Sequence, residues 1–120
     1  IKLMGGSDQL EKDMINGAVA AFSSDYEGMP NAMLEAMALG LPVVATDCPS
    51  GGPRMVITQE ENGLLVPVGD EEALAAAVNR LIEEPEFAKE LGERASKIGE
   101  KAGAEMIFKE WENYVLEVCK

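Results

Sequence analysis

The 120-residue sequence contains no histidine. That absence removes the Ser/His and Cys/His nucleophile systems, and the usual zinc ligand sets, from any chemistry the chain performs alone. Cysteine is scarce as well. Cys48 and Cys119 stand far apart and match no metal-ligand spacing, which excludes a disulfide-stapled extracellular scaffold and reads as two reduced thiols in a cytosolic protein. Basic residues number only 10 against 22 acids, and the formal charge of -12 repels a nucleic-acid backbone or an anionic leaflet. No apolar run approaches the ~20 residues of a membrane-spanning helix, and no charged start with an apolar middle suggests a leader peptide. With 47% hydrophobic residues the chain can bury one core, and it has no room for a second domain.

Hydrophobic patterning divides the chain into alternating strands and helices. Ile1 to Met4 alternates and reads as a short strand, closed by the turn at Gly5-Gly6-Ser7-Asp8. A poorly patterned helix follows from Gln9 to Asn16, then a buried-type strand over Ala18 to Phe22 and a polar loop from Ser23 to Met29. Pro30 suits a first helical position, because its missing N–H would be unpaired there, and the helix runs from Asn31 to Leu39 with Gly40 as its stop. Leu41 to Thr46 is apolar on both faces, as a parallel strand covered by helices must be. Beyond the loop Asp47 to Pro53, the pattern gives a short helix near Arg54 to Ile57, a turn at Glu60-Glu61-Asn62 and a strand over Gly63 to Val66. Asp70 then caps a helix whose apolar stripe is Leu74, Ala77, Val78, Leu81 and Ile82. Pro85 opens another with Phe87, Leu91 and Ala95 on one side; Gly99 to Gly103 breaks it, and a last helix aligns Ile107, Phe108, Trp111, Tyr114, Val115 and Val118. Four strands alternating with helices predict an α/β fold with a parallel sheet. The acids between Glu60 and Glu93 read as a solvated outer helix layer.

Parallel α/β sheets bind ligands at the C-terminal ends of their strands, and the loops 23–29 and 47–53 leave strands there. Glu27 lies in the first loop. Glu35 lies one turn into the next helix, where nearly every other residue is apolar. A carboxylate buried without partners costs several kcal/mol or takes up a proton, so Glu35 should face either a buried partner or a ligand. The helix N-terminus around Pro30 to Met33 offers free N–H groups and roughly half a positive charge, which suits an anionic phosphate. On these grounds alone a ligand role for Glu35 and a structural ion pair stay equally open. For Asp47, Ser50 and the glycines beside them, a tight structural loop and direct ligand contact are likewise both open. No G-x-G-x-x-G turn occurs at Gly5-Gly6 or Gly51-Gly52, which counts against a dinucleotide oxidoreductase.

The run Ser24-Asp25-Tyr26-Glu27-Gly28-Met29-Pro30-Asn31, followed by Leu34-Glu35-Ala36-Met37-Ala38-Leu39-Gly40-Leu41-Pro42-Val43-Val44-Ala45-Thr46, resembles the donor-site signature of the group 1, or family four, retaining glycosyltransferases of GT-B fold. The likeness continues through Asp47-Cys48-Pro49-Ser50-Gly51-Gly52-Pro53-Arg54, Glu61 to Pro67 and Asp70 to Leu74. It implies a partial C-terminal, nucleotide-sugar-binding domain with a Rossmann-like parallel sheet, with the first strands of that domain and the whole acceptor domain lying elsewhere. Glu27 and Glu35 are the catalytic-site pair it implies: Glu27 contacts hydroxyls of the donor sugar and Glu35 accepts hydrogen bonds from the ribose hydroxyls. Backbone amides of Gly28, Met29, Asn31, Ala32 and Met33 would meet the sugar and diphosphate, while Pro30 can donate nothing and serves geometry.

The implied donor is a nucleotide diphosphate sugar, with a UDP-sugar favoured, and the acceptor a saccharide or lipid-linked hydroxyl in surface polysaccharide assembly. No cofactor and no obligatory metal is implied, and the location is cytoplasmic, with the inner membrane surface open to the full-length enzyme. Two departures stand out. The family's phosphate-binding Arg and Lys have no counterpart here, since before Arg80 the chain offers only Lys2, Lys12 and Arg54, and Arg54 is better placed for an ion pair with Asp47 or Glu60. The chain alone is therefore expected to be inactive, and to form a homodimer through the N-terminal sheet edge that its missing neighbours would leave open or through the helix face that would meet the missing part. The alternative from another class is a non-catalytic nucleotide-binding or interaction module of the same fold. Tyr26 and Trp111 read as core or interface aromatics, and Met29, Met33, Met37 and Met55 as gap-filling core or pocket walls.

Overall fold

In the computed structural model, residues 2–101 and 104–119 are described, with the side chains at 11, 101, 104–108, 110 and 111 left aside. The elements run α1 (Leu10–Met14), β1 (Ala20–Phe22), α2 (Asn31–Ala38), β2 (Val43–Thr46), α3 (Gly52–Val56), β3 (Leu64–Val66), α4 (Glu71–Glu83), α5 (Pro85–Ser96), α6 (Ile98–Lys101) and α7 (Ala104–Val118). Three strands form one parallel sheet in the order β1-β2-β3, with Ala20 opposite Val43 and Val44 opposite Leu64. The α/β parallel sheet is as the patterning predicts, but it has three strands rather than four among the described residues. The expected strand at Ile1 to Met4 is the one that differs: Ile1 lies outside the described residues, and 2–4 pair with nothing, leaving Leu3 94% exposed. Alternation over so few residues gives a strand only where a neighbour accepts its hydrogen bonds, and the sheet's first paired strand is β1.

The central strand β2 is buried at all four positions because helices cover both faces. Its side chains alternate: Val43 and Ala45 join Met33, Ala36, Met37 and Ile57 in one core layer, while Val44 joins Leu64, Val66, Leu81 and Leu91 in the other. Helix α2 thus covers one face and α4 the other. Helix α5 reaches both layers, contributing Leu91 to one and Ala95 to the other. Its close approach to the end of α2 depends on Gly92, where a Cβ would fall 2.1 Å from the Gly40 carbonyl oxygen.

Helix boundaries follow the expected punctuation with small shifts. Asp70 caps α4 by accepting from the Ala73 N–H at 2.9 Å. Pro85 opens α5, and Gly40 closes α2 at φ +79°. Pro30 is the N-cap of α2 rather than its first helical residue, its carbonyl accepting the Leu34 N–H at 3.1 Å. Ile82 departs from the stripe assigned to it: Leu81 is fully buried and Ile82 is 60% exposed, since neighbours 100° apart on a helix cannot both point to the core centre. Of the predicted break at Gly99 to Gly103, residues 99–101 instead belong to α6, and the last two lie outside the described residues. The predicted stripe of α7 is open to solvent at Tyr114, Val115 and Val118; the side chains of Ile107, Phe108 and Trp111 lie outside the described residues. Met33 and Met37 fill the core, whereas Met29 and Met55 are exposed, as is Tyr26 at 71%. Both cysteines are free, Cys48 buried and Cys119 exposed.

Candidate functional site

The parallel sheet brings the loops 23–30, 47–51 and 67–70 to one end, where β1, β2 and β3 finish. Thr46, the last residue of β2, is buried and donates through Oγ1 to the Ser24 carbonyl at 2.5 Å. The end of the central strand therefore pins the first loop. Within that loop, Ser24 Oγ donates to Glu27 Oε1 at 2.8 Å and orients the carboxylate. From the second loop, the Ser50 hydroxyl donates to the Glu27 carbonyl oxygen. Directly behind it, the start of α3 packs on the same loop so closely that a Cβ on Gly52 would lie 1.7 Å from the Gly28 carbonyl oxygen and 3.1 Å from Pro30 Cδ. Half-buried Glu27 is thus held by its own loop, by β2 and by the loop after β2.

Next to Glu27 the chain enters α2 with no side-chain cap and no acid in the first turn. The N–H groups of Asn31, Ala32 and Met33 have no hydrogen-bond partner among the described residues, as expected for the first turn of an uncapped helix. Gly28, Met29, Asn31 and Ala32 are exposed beside these donors, while the Met33 side chain points into the core. An uncompensated helix N-terminus of this kind attracts negative charge.

Glu35 is exposed, because the buried face of α2 is Met33, Ala36 and Met37 and Glu35 falls outside it. That resolves the tension of a carboxylate in an apolar helix. Among the described residues nothing hydrogen-bonds or pairs with it; it lines an open cleft of about 440 Å³ shared with Ser7, Asp8, Gln9, Leu10 and Lys12. Glu35 therefore has no buried partner in this fold, and its carboxylate opens onto the cleft. Among the described residues Lys12 is the only cation lining this cleft, and its Nζ donates to Gln9 Oε1 at 2.9 Å. A second hollow of about 320 Å³ at the strand ends is lined by Ser23, Asp25, Thr46, Asp70 and Glu71, with no cation in its wall, and suits hydroxyl groups rather than phosphate.

Arg54 takes the ion-pair role expected of it. It grips Asp47 with both ends of the guanidinium, Nε to Oδ1 at 2.9 Å and the terminal nitrogen to Oδ2 at 2.5 Å. The hydrogen bonds from Arg54 hold the Asp47 carboxyl below the ordinary carboxylate range, outweighing the opposing effect of burial. Glu60 pairs instead with Arg80, which also reaches Glu84 and stacks over the Phe87 ring. Arg54 is consequently committed to the loop's own structure. The described residues contain no group of three or more potential metal-ligating side chains, and no helix long and apolar enough to cross a membrane.

The sequence profile of the family described as "Glycosyl transferases group 1" matches residues 1–84. An exopolysaccharide phosphotransferase of Streptomyces coelicolor is 34% identical over 119 residues, which are 98% of this chain and 12% of that protein. An uncharacterized glycosyltransferase of Haemophilus influenzae is 32% identical over 96 residues, covering 80% of this chain and 27% of that protein. Among solved structures, a variant of TarM from Staphylococcus aureus, crystallised with Fondaparinux, alpha-GlcNAc-glycerol and UDP, superposes with a TM-score of 0.85 and 31% identity over 93% of this chain and 23% of its own. The chain therefore spans well under a third of the length of each of these proteins.

Proposed function

Since the chain belongs to the group 1 glycosyltransferases, we propose that it holds the donor in a retaining, GT-B sugar transfer carried out by a longer enzyme. The observation that carries this reading is Glu35: a carboxylate on the exposed side of α2, without a partner among the described residues, in a cleft large enough for a nucleoside. A carboxylate there accepts two hydrogen bonds from the vicinal hydroxyls of a ribose. One turn earlier, the free N–H groups of α2 meet the diphosphate, and the tethered Glu27 addresses the hydroxyls of the sugar. Breaking the bond between the sugar and the diphosphate builds negative charge on the leaving oxygen, and fixed amides at a helix N-terminus stabilise that charge without reorganising. The carboxylates orient more than they attack.

UDP is the favoured nucleotide, supported by its presence in the TarM structure. A saccharide or lipid-linked hydroxyl is the acceptor, in surface polysaccharide assembly, which accords with the exopolysaccharide context of the Streptomyces relative. The longer enzyme supplies the acceptor site and the phosphate-binding cations, so the 120-residue chain alone should transfer nothing.

Calorimetry and transfer assays on the longer enzyme test the division of roles. Glu35→Ala removes charge-assisted hydrogen bonds of about 1.5–3 kcal/mol each, so UDP affinity and transfer should both fall at least tenfold. Glu27→Ala should lower the transfer rate with a smaller effect on UDP affinity. Equal losses of UDP affinity in the two variants would refute the division. UDP binding by the longer enzyme with no transfer from any UDP-sugar would instead identify a non-catalytic module.

A further inference from the structure

Ser50 occupies a backbone conformation that its residue type avoids. Its φ is +66°, in the left-handed region, and it is followed by Gly51 at +75° and then Gly52. Glycine adopts that conformation without steric penalty, and a side chain there is strained against the following carbonyl. A serine kept at such a position, in a loop where glycines already stand, points to a task for its hydroxyl. The structure gives that hydroxyl one partner, the carbonyl oxygen of Glu27, 23 residues earlier. The only other non-glycine residue at positive φ among the described residues, Glu60, follows the same logic, since its carboxylate pairs with Arg80.

We infer that Ser50 is a positioning residue for Glu27: it trades backbone strain for a hydrogen bond that sets where the Glu27 carboxylate meets the transferred sugar. Three tethers converge on that loop, and they divide the work. Thr46 holds the loop's start at Ser24, and Ser24 Oγ orients the Glu27 carboxylate. Among the described residues Ser50 makes the one hydrogen bond to the Glu27 carbonyl, so it sets that peptide's orientation within a loop whose far side packs on Gly52. A displacement of that carbonyl carries the carboxylate with it, and misplacement by even one ångström at a reacting centre lowers rate more than binding.

The inference rests on the proposed role of Glu27 at the sugar, and the test separates the two. In the longer enzyme, Ser50→Gly and Ser50→Ala both delete the hydroxyl, but only glycine relieves the strain. Both variants should lose kcat about fivefold, with donor KM little changed, while Ser50→Gly melts at a higher temperature than Ser50→Ala. Ser50→Asn, which tolerates left-handed backbone and retains an N–H donor, should recover part of the lost kcat. Unchanged kcat in the glycine and alanine variants, or a kcat that follows their melting temperatures, would overturn the positioning role. Glu27→Gln runs alongside: a loss there without a loss at Ser50 overturns the Ser50 inference only, whereas no loss at Glu27 overturns the role of Glu27 and the inference with it.

Discussion

Gly52→Ala should be the most damaging single-methyl change in the site. The added Cβ would sit 1.7 Å from the Gly28 carbonyl oxygen, 2.9 Å from its carbon and 3.1 Å from Pro30 Cδ. An ordinary carbon–oxygen contact is about 3.2 Å or more, so the two loops must part by roughly 1.5 Å. The obstructing atoms are backbone, not the end of a flexible side chain, and Pro30 behind them is buried at the N-cap of α2. Overpacking of this kind costs about 1–3 kcal/mol, which at this chain length lowers the melting temperature by roughly 4–12 °C. The same displacement moves the loop that carries Glu27, so on the proposed function transfer by the longer enzyme should fall by more than the stability loss explains. Two controls isolate the steric effect. Gly28→Ala meets nothing within 4 Å and should leave stability nearly unchanged, and Gly51→Ala, also unobstructed but at φ +75°, should show only the conformational cost of about 1 kcal/mol. A Gly52→Ala variant that melts with wild type and transfers at the wild-type rate would refute the close approach of the two loops.

The Asp47–Arg54 pair makes a pH-dependent contribution with a definite sign. Because Arg54 holds the Asp47 carboxyl below its ordinary range, the stabilisation is fully present above about pH 4 and is lost as pH falls through the lowered value; Asp47→Asn should reduce the acid-side fall in melting temperature, and an unchanged profile would show the pair to be without consequence. Self-association of the isolated 120-residue chain is expected from the unpaired side of β1 and the exposed apolar residues Leu3, Met4, Leu10 and Ile15. Sedimentation at micromolar concentration should show a concentration-dependent dimer; a monomer at every concentration, with β1 amides protected from exchange, would count against it.

The parts of the fold legible in the sequence are those fixed by local chemistry. Strand β2 stands out as an apolar run between Pro42 and the polar loop at Asp47, and α4 is marked by the Asp70 cap and its apolar spacing. What the sequence misplaces is decided by tertiary contact. Ile1 to Met4 alternates as well as a strand does, but strand formation needs a neighbour, and residues 2–4 have none among the described residues. Tyr26 reads as core or interface and Met55 as core or pocket wall by residue type, and tertiary contact decides between them by leaving both exposed. In the site, Glu27 and Glu35 are visible from their loop and helix. The residues that hold Glu27 are not: Thr46 and Ser50 act over 22 and 23 residues of separation, and no short-range pattern reports such contacts. The one local clue is the Ser50-Gly51-Gly52 run itself, since consecutive turn residues after a buried strand mark a backbone held in unusual conformations.

The two glutamates, eight residues apart in sequence, sit in opposite mechanical environments, and that contrast bears on how a donor would be used. The Glu27 carboxylate is oriented by Ser24, its carbonyl is held by Ser50, and its loop is braced by Gly52 and β2. Glu35 projects into an open cleft with no partner among the described residues. A group free to adjust gains the same interaction in the ground and transition states, so it contributes affinity; a group locked before the donor arrives can favour only one arrangement of the sugar. On the proposed roles, the locked carboxylate meets the part of the donor whose geometry changes during transfer, and the adaptable one meets the nucleoside, whose geometry does not. Preorganisation is therefore concentrated where discrimination between ground state and transition state is required, and it joins one near neighbour in sequence, Ser24, to a strand end, a strained serine and a glycine contact that the fold brings in from 19 or more residues away.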